Sequence, residues 1–167
     1  MSPEIDAEAI LQNLETALQP MLSAKPIMIG IHSGGAWVAE QLHKDLNLPD
    51  PLGTLDISFY RDDFTRIGMN PQVKASELPV DVDDQHIILV DDVLHTGRTI
   101  RAAMNEIFDY GRPASVTLAV LIERSGHELP IRADVAGQFV ELTATQHIKL
   151  SRDDAGHLQL VIQETTG

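Results

Sequence analysis

Apolar and polar positions along the chain follow two periods by turns, one helical and one extended. Ile10, Leu11, Leu14, Leu18, Met21 and Leu22 share one helical face, and Pro3 suits the start of that helix. After Lys25-Pro26, the apolar run at residues 27–31 reads as a buried strand. Ser33-Gly34-Gly35 marks a sharp turn, and helical spacing returns over residues 36–46 with Trp37, Ala39 and Leu42 as packing positions. Leu55, Ile57 and Phe59 alternate with Thr54, Asp56 and Ser58, the pattern of a half-buried strand. Residues 61–79 lose all periodicity and contain Gly68, Pro71 and Pro79, which predicts a flexible lid loop.

A second apolar run, residues 87–90, predicts the next strand. Ile100, Ala103, Met104, Ile107 and Phe108 then form one helical face, which Gly111 and Pro113 bring to an end. Residues 115–122 read as another buried strand and 123–137 as irregular. Short strands at 138–142 and 157–162 are expected to close the chain. Strands alternating with helices predict an α/β fold: a mainly parallel sheet, helices on both faces, and an antiparallel tail. The length of 167 residues fits one domain, 1–167.

The segment Ile87-Ile88-Leu89-Val90-Asp91-Asp92-Val93-Leu94-His95-Thr96-Gly97-Arg98-Thr99 concentrates the chemistry. In an open α/β sheet, the crevice between a strand end and the following helix is where ligands sit. The Thr96-Gly97-Arg98-Thr99 turn offers main-chain N–H groups, hydroxyls and a helix N-terminus, all suited to a phosphate. Asp91 and Asp92 would repel that phosphate and instead suit sugar hydroxyls or a divalent cation beside it. The segment therefore asks for a sugar phosphate. There is no G-x-x-x-x-G-K-[ST] loop of a nucleoside triphosphatase and no G-x-G-x-x-G of a dinucleotide fold.

This segment resembles the phosphoribosyl pyrophosphate (PRPP) motif of type I phosphoribosyltransferases. Within that group, residues 56–63 (Asp56 to Asp63), 90–99 and 128–134 (Glu128 to Asp134) resemble the pyrimidine operon regulatory family, PyrR, with Gly111-Arg112-Pro113 also in place. The likeness runs over residues 27–142. It implies a type I phosphoribosyltransferase core with a small C-terminal hood at about residues 123–137 and an antiparallel tail. It further implies uracil phosphoribosyltransferase activity, converting uracil and PRPP to UMP and pyrophosphate with Mg²⁺, and regulation of pyrimidine genes through RNA.

By that resemblance, Asp91 and Asp92 bind the ribose hydroxyls, while Val93, Leu94, His95, Thr96, Gly97, Arg98 and Thr99 wrap the 5-phosphate. Arg98 either adds charge or points into the fold, and His95 reads as turn filler. His32, Ser33, Gly34 and Gly35 form the pyrophosphate loop. Many members carry arginine or lysine where His32 stands and arginine where Gly34 stands, so pyrophosphate would lean on main chain and Mg²⁺. His32 is either a cation when pyrophosphate is bound or a neutral loop residue. Arg61, inside the matched motif, is the preferred catalytic cation of the lid, ahead of Arg66 and Lys74. Arg124, Arg132, Ala133 and Asp134 are expected to hold the base. Metal ligands on the protein stay open, because Mg²⁺ is expected mainly through PRPP. His43, His86, His147 and His157 lack metal-site spacing and read as structural or surface residues.

Charge bears on the second function. The formal net charge is −13, and residues 1–24 contain no Lys or Arg but carry Glu4, Asp6, Glu8 and Glu15. RNA affinity grows with each phosphate a cation neutralises, so binding of leader RNA is the disfavoured alternative. The absence of cysteine rules out disulfides and thiolate metal sites. An acidic N-terminus without signal-peptide order, and no long apolar run, lead to the expectation of a cytoplasmic protein with no membrane contact. Relatives self-associate, so a homo-oligomer, a dimer or higher, is expected.

Overall fold

The computed structural model describes residues 5–57 and 77–165. Pro3, Phe59, Arg61, Arg66, Lys74 and the lid up to residue 76 lie outside the described residues. The first helix, α1 (Ala7–Leu18), starts later than Pro3 suggests. Asp6 caps it, its Oδ1 accepting the Ala9 N–H at 3.1 Å. A 3₁₀ turn, Gln19–Ala24, follows α1 and takes Met21 and Leu22.

The main sheet has five strands: β1 (Ile27–Ile31), β2 (Gly53–Leu55), β3 (His86–Leu94), β4 (Ser115–Arg124) and β5 (Val135–Val140). Their order is β2-β1-β3-β4-β5, and every neighbouring pair is parallel. Alternate residues of the apolar strands build two cores. Met28, Ile88, Val90, Ala119 and Leu121 meet α1 and α2 (Gly34–Asp45) on one face. Ile27, Ile29, Ile31, Ile87, Leu89, Leu118 and Val120 meet Ile100, Ala103 and Ile107 of α3 (Arg98–Tyr110) on the other. Both faces are covered, which is why these strands read as unbroken apolar runs.

Several boundaries differ from the sequence reading. β3 runs on to Leu94, so Asp91 and Asp92 lie inside the strand. β4 continues alongside it and pairs Asp91 with Val120, Val93 with Ile122 and Leu94 with Glu123. Among the described residues, the predicted strand around Leu55 is three residues long, and Ser58 and Phe59 lie outside them. Strand β5 begins at Val135 and joins the parallel sheet instead of forming a tail. The antiparallel pair is β6 (Gln146–Arg152) with β7 (Leu158–Glu164), and β6 is a strand beyond those expected from the sequence. Ile148 and Leu150 alternate with His147, Lys149 and Ser151, so a period-2 signal was present there. Leu150 and Leu160, paired across the hairpin, close onto the core shared with α1 and α2. Phe108 is 53% exposed, because the buried stripe of α3 is the narrower one through Ile100, Ala103 and Ile107.

Polar contacts tie the hairpin and the helices together. The Arg152 guanidinium lies 5.0 Å from the Trp37 ring centroid and pairs with Glu40 at 2.9 Å, joining β6 to α2. Between α1 and α2, Glu15 meets Asp45, and Gln41 Nε2 donates to Asp45 Oδ1 at 2.8 Å. Burial, then hydrogen bonding to Asp45 and its charge, push the Glu15 carboxyl up to about 7. The folded chain thus holds this proton more tightly than the unfolded chain does. Its stabilising effect is complete below the ordinary glutamate range and is lost as pH rises through about 7. Glu15→Gln is expected to raise the melting temperature more at pH 8 than at pH 5; an equal shift at both would show that Glu15 does not titrate this way.

Candidate active site at the ends of β1 and β3

The strand order places a topological switch point between β1 and β3. The chain leaves β1 through α2 toward β2 on one side, and leaves β3 through α3 toward β4 on the other. The two connecting helices cover opposite faces, so a crevice opens between the carboxyl ends of β1 and β3. Both sequence motifs end there.

From β1, the loop passes through His32 and Ser33 into the first turn of α2, Gly34 and Gly35. The His32 N–H donates to the Leu55 carbonyl at 2.9 Å, and the Ser33 carbonyl accepts the Trp37 N–H at 3.2 Å. From β3, Asp91 and Asp92 come up against this turn. A Cβ on Gly35 would lie 2.6 Å from the Val90 carbonyl oxygen and 2.9 Å from Asp91 Cα, and one on Gly34 would collide with the Asp92 carboxylate. The structure thus brings His32, Ser33, Gly34 and Gly35 together with Asp91 and Asp92. The glycine pair is what permits that approach. It also gives a physical reason for Gly34, since a side chain at this position would displace Asp92.

Asp91 is only 6% exposed, and its Oδ1 accepts the Asp92 N–H at 2.8 Å. Burial pushes its carboxyl well above the usual carboxylate range, and the charge of Asp92 adds to the shift. Asp92 is half-buried, with Oδ1 accepting the Val93 N–H at 2.8 Å. Among the described residues, no three His, Asp or Glu side chains converge into a metal cage. Asp91 and Asp92 offer carboxylate oxygens, a donor type that suits Mg²⁺ in company with waters and substrate phosphates.

Strand β3 ends on the buried Leu94, and the turn His95-Thr96-Gly97 leads into α3. Gly97 has φ +97°, a left-handed conformation that a side chain rarely adopts. Thr96 Oγ1 accepts the Arg98 N–H at 3.2 Å, and Thr99 is exposed on the first turn of α3. Arg98 does not point into the fold. Its side chain is 68% exposed, with Nε donating to Glu128 Oε1 of the hood at 2.9 Å. Burial lowers the His95 imidazole below its usual range, and Arg124 acts in the same direction; Glu128 opposes it. The pairing of Arg98 with Glu128 was not legible beforehand, since nothing in periodicity links residues so far apart in sequence.

The hood residues divide. Arg124 is 3% exposed, and its guanidinium donates to the carbonyls of Ser125, Gln146 and Thr143 at 3.0, 2.8 and 3.2 Å. These three contacts make Arg124 a strut that fixes the end of β4 to the start of β6. Arg124→Met leaves those carbonyls without their charged donor and is expected to cost about 2–3 kcal/mol in urea unfolding; an unchanged midpoint would remove the strut. The Asp134 N–H donates to the Leu118 carbonyl, and Asp134 Oδ2 accepts the Leu118 N–H, so this side chain leads into β5. Ala133 packs on the α3 core, and Arg132 is exposed. His43 and His86 have structural contacts, to the Asp50 carbonyl at 2.6 Å and to Ser115 Oγ at 2.7 Å.

Comparison with known proteins follows the same lines. A family model described as "Phosphoribosyl transferase domain" matches residues 4–154. "Bifunctional protein PyrR" of Nitrosococcus oceani is 58% identical over 165 residues, covering 95% of this chain and 92% of the relative. The protein of that name from Pseudomonas syringae pv. syringae is 50% identical over 159 residues, covering 93% of this chain and 94% of the relative. The fold is also that of a purine phosphoribosyltransferase from Pyrococcus horikoshii (TM-score 0.59, 19% identity, 83% of this chain and 89% of that one). A hypoxanthine phosphoribosyltransferase from Staphylococcus aureus aligns with TM-score 0.61 and 14% identity, over 81% of this chain and 74% of that one. The family match over residues 4–154, together with relatives of this identity and coverage, shows that the chain belongs to the phosphoribosyltransferase family and, within it, to the PyrR group.

Proposed function

We propose that this protein transfers ribose 5-phosphate from PRPP to N1 of uracil, giving UMP and pyrophosphate. The observation that carries the reading is the apposition of Gly34 and Gly35 against Asp91 and Asp92. A glycine turn whose main chain suits an anion packs directly against two carboxylates that suit sugar hydroxyls, which supports the reading. Asp91 and Asp92 hold the ribose hydroxyls, the turn from Val93 to Thr99 holds the 5-phosphate, and main chain at Ser33–Gly35 receives the pyrophosphate. The bond from the anomeric carbon to pyrophosphate oxygen breaks, the bond to uracil N1 forms, and the N1 proton leaves. Positive character at the anomeric carbon develops during this exchange. The protein acts by aligning the two reactants and excluding water. Asp91 and Asp92 would be the side chains nearest to a Mg²⁺ brought in mainly by PRPP, and that ion would supply positive charge to the leaving pyrophosphate. Arg61 of the lid belongs to this reading as the preferred cation for the same group, and Arg132 and Ala133 as neighbours of the base.

The base is the finer claim, and it rests on the likeness of residues 56–63 and 128–134 to the PyrR pattern. Incubation with PRPP, Mg²⁺ and each of uracil, hypoxanthine, guanine and orotate tests it. UMP is the expected dominant product, and no UMP at any uracil concentration would sink the enzyme reading.

A regulatory activity stands beside it, because the relatives are named bifunctional. Its natural partner is pyrimidine-leader RNA. α1 and the 3₁₀ turn after it carry no Lys or Arg, which leaves that face without phosphate-neutralising charge. Weak RNA retention is expected in filter binding at two salt concentrations; tight, salt-sensitive retention would reverse this assignment. The same reading makes the protein a cytoplasmic homo-oligomer. Among the described residues, no helix is long and apolar enough to cross a membrane.

A further inference from the structure

Arg98 is the first residue of α3, within the Val93–Thr99 segment assigned above to the 5-phosphate, and one N–H of its guanidinium is already engaged. Nε donates to Glu128 Oε1 at 2.9 Å, with the side chains 68% and 54% exposed. Glu128 is held in this place by more than the ion pair. Its own N–H and that of Leu129 donate to the Thr96 carbonyl at 3.0 and 3.1 Å. Gly97 faces Leu129 and Ile131, so closely that a Cβ there would lie 3.3 Å from Ile131 Cβ and 3.4 Å from Leu129 Cβ. Main chain thus holds Glu128 against the turn that precedes α3, and its carboxylate reaches the guanidinium of the helix's first residue. An incoming phosphate meets both a like charge and a cation that is spoken for.

We propose that Glu128 is a built-in competitor of the 5-phosphate. Arg98 exchanges Glu128 for the phosphate on binding and returns to Glu128 when the nucleotide leaves, so Glu128 sets the affinity of the turn and hastens product release. The inference rests on the phosphate role of the Val93–Thr99 turn. The energetics allow the exchange, because an exposed ion pair is weak while a guanidinium–phosphate contact is charge-assisted and can be bidentate. The hood need not open when the pair breaks, since the two bonds to the Thr96 carbonyl do not involve Arg98.

Calorimetric titration of the full chain with ribose 5-phosphate tests this, using wild type, Glu128→Gln, Arg98→Gln and the double variant. Glu128→Gln is expected to bind the probe about two- to fivefold more tightly, the range that an exposed ion pair supports. The gain should be smaller when Arg98 is already Gln, because only direct repulsion is then relieved. A gain of equal size in both backgrounds would mean that Arg98 does not change partners. Unchanged or weaker binding by Glu128→Gln would overturn the competition outright. If wild type itself fails to bind ribose 5-phosphate, the phosphate reading of the turn falls and this inference falls with it. Binding by wild type with no gain removes the competition alone.

Discussion

Asp91→Asn combined with Asp92→Asn is expected to abolish UMP formation while leaving the fold intact. Each carboxylate bond to a ribose hydroxyl is worth about 1.5–3 kcal/mol, so losing both lowers kcat/KM by roughly 10²–10⁴-fold. The fold should survive because Asn fills the same volume and Asp91 is strained toward its neutral form. Burial and the neighbouring Asp92 raise the Asp91 carboxyl, so the folded chain is stabilised by the proton and loses that stability as pH rises above the ordinary carboxylate range. Asp91→Asn removes this penalty, and its melting temperature at pH 8 is expected to equal or exceed that of wild type. Steady-state kinetics with uracil and PRPP, alongside a thermal melt, separates the two effects. Turnover within tenfold of wild type would take the two carboxylates away from the ribose.

Gly35→Ala is expected to do comparable damage by a different route. The new Cβ would meet the Val90 carbonyl at 2.6 Å and Asp91 Cα at 2.9 Å. Both are backbone atoms of a central strand, so no side-chain rotation relieves the overlap. Forcing an extra carbon into packed backbone costs about 1–3 kcal/mol, and here the strain is released by pushing the first turn of α2 away from β3. That movement separates the pyrophosphate turn from the acidic pair, and a displacement of about 1 Å can cost roughly 10²-fold in rate. Gly34→Ala should be milder in stability, because its obstacle is the Asp92 carboxylate, which can rotate. A lower melting temperature and a rise in the KM for PRPP are the expected readings for Gly35→Ala. Wild-type kinetics in that variant would show that the close approach of the first turn of α2 to β3 is not needed.

Local pattern was enough to place most of the fold. β1 and α3 could be read because an unbroken apolar run and a stripe at helical spacing are properties of the segments themselves. The end of β3 could not be read, because adjacent carboxylates look like a strand terminus until β4 is known to run alongside to Glu123. The start of β5 and its place in the parallel sheet are hidden for a related reason, although a strand over 138–142 is legible. Only the pairing of residues 135–140 with β4, Ala119 with Val135 through Arg124 with Val140, makes them the parallel fifth strand. The miss of β6 is of another kind, since its alternation was visible. Phe108 shows the limit of a face inferred from spacing alone, for a stripe can be drawn wider than the sheet it must cover.

The class of ligand was determined by the sequence alone: the acidic pair, the Thr-Gly-Arg-Thr turn and their spacing ask for a sugar phosphate whatever the strand order. Residue identity sets which groups can donate, accept or repel. What only the tertiary structure decided is which of those groups share a site. Strand order opened the crevice between β1 and β3, packing set Gly34 and Gly35 against Asp91 and Asp92, and the hood brought Glu128 to Arg98 while turning Arg124 into a strut. Periodicity is carried by neighbours along the chain, whereas each of these meetings is made by burial and pairing between segments far apart in sequence.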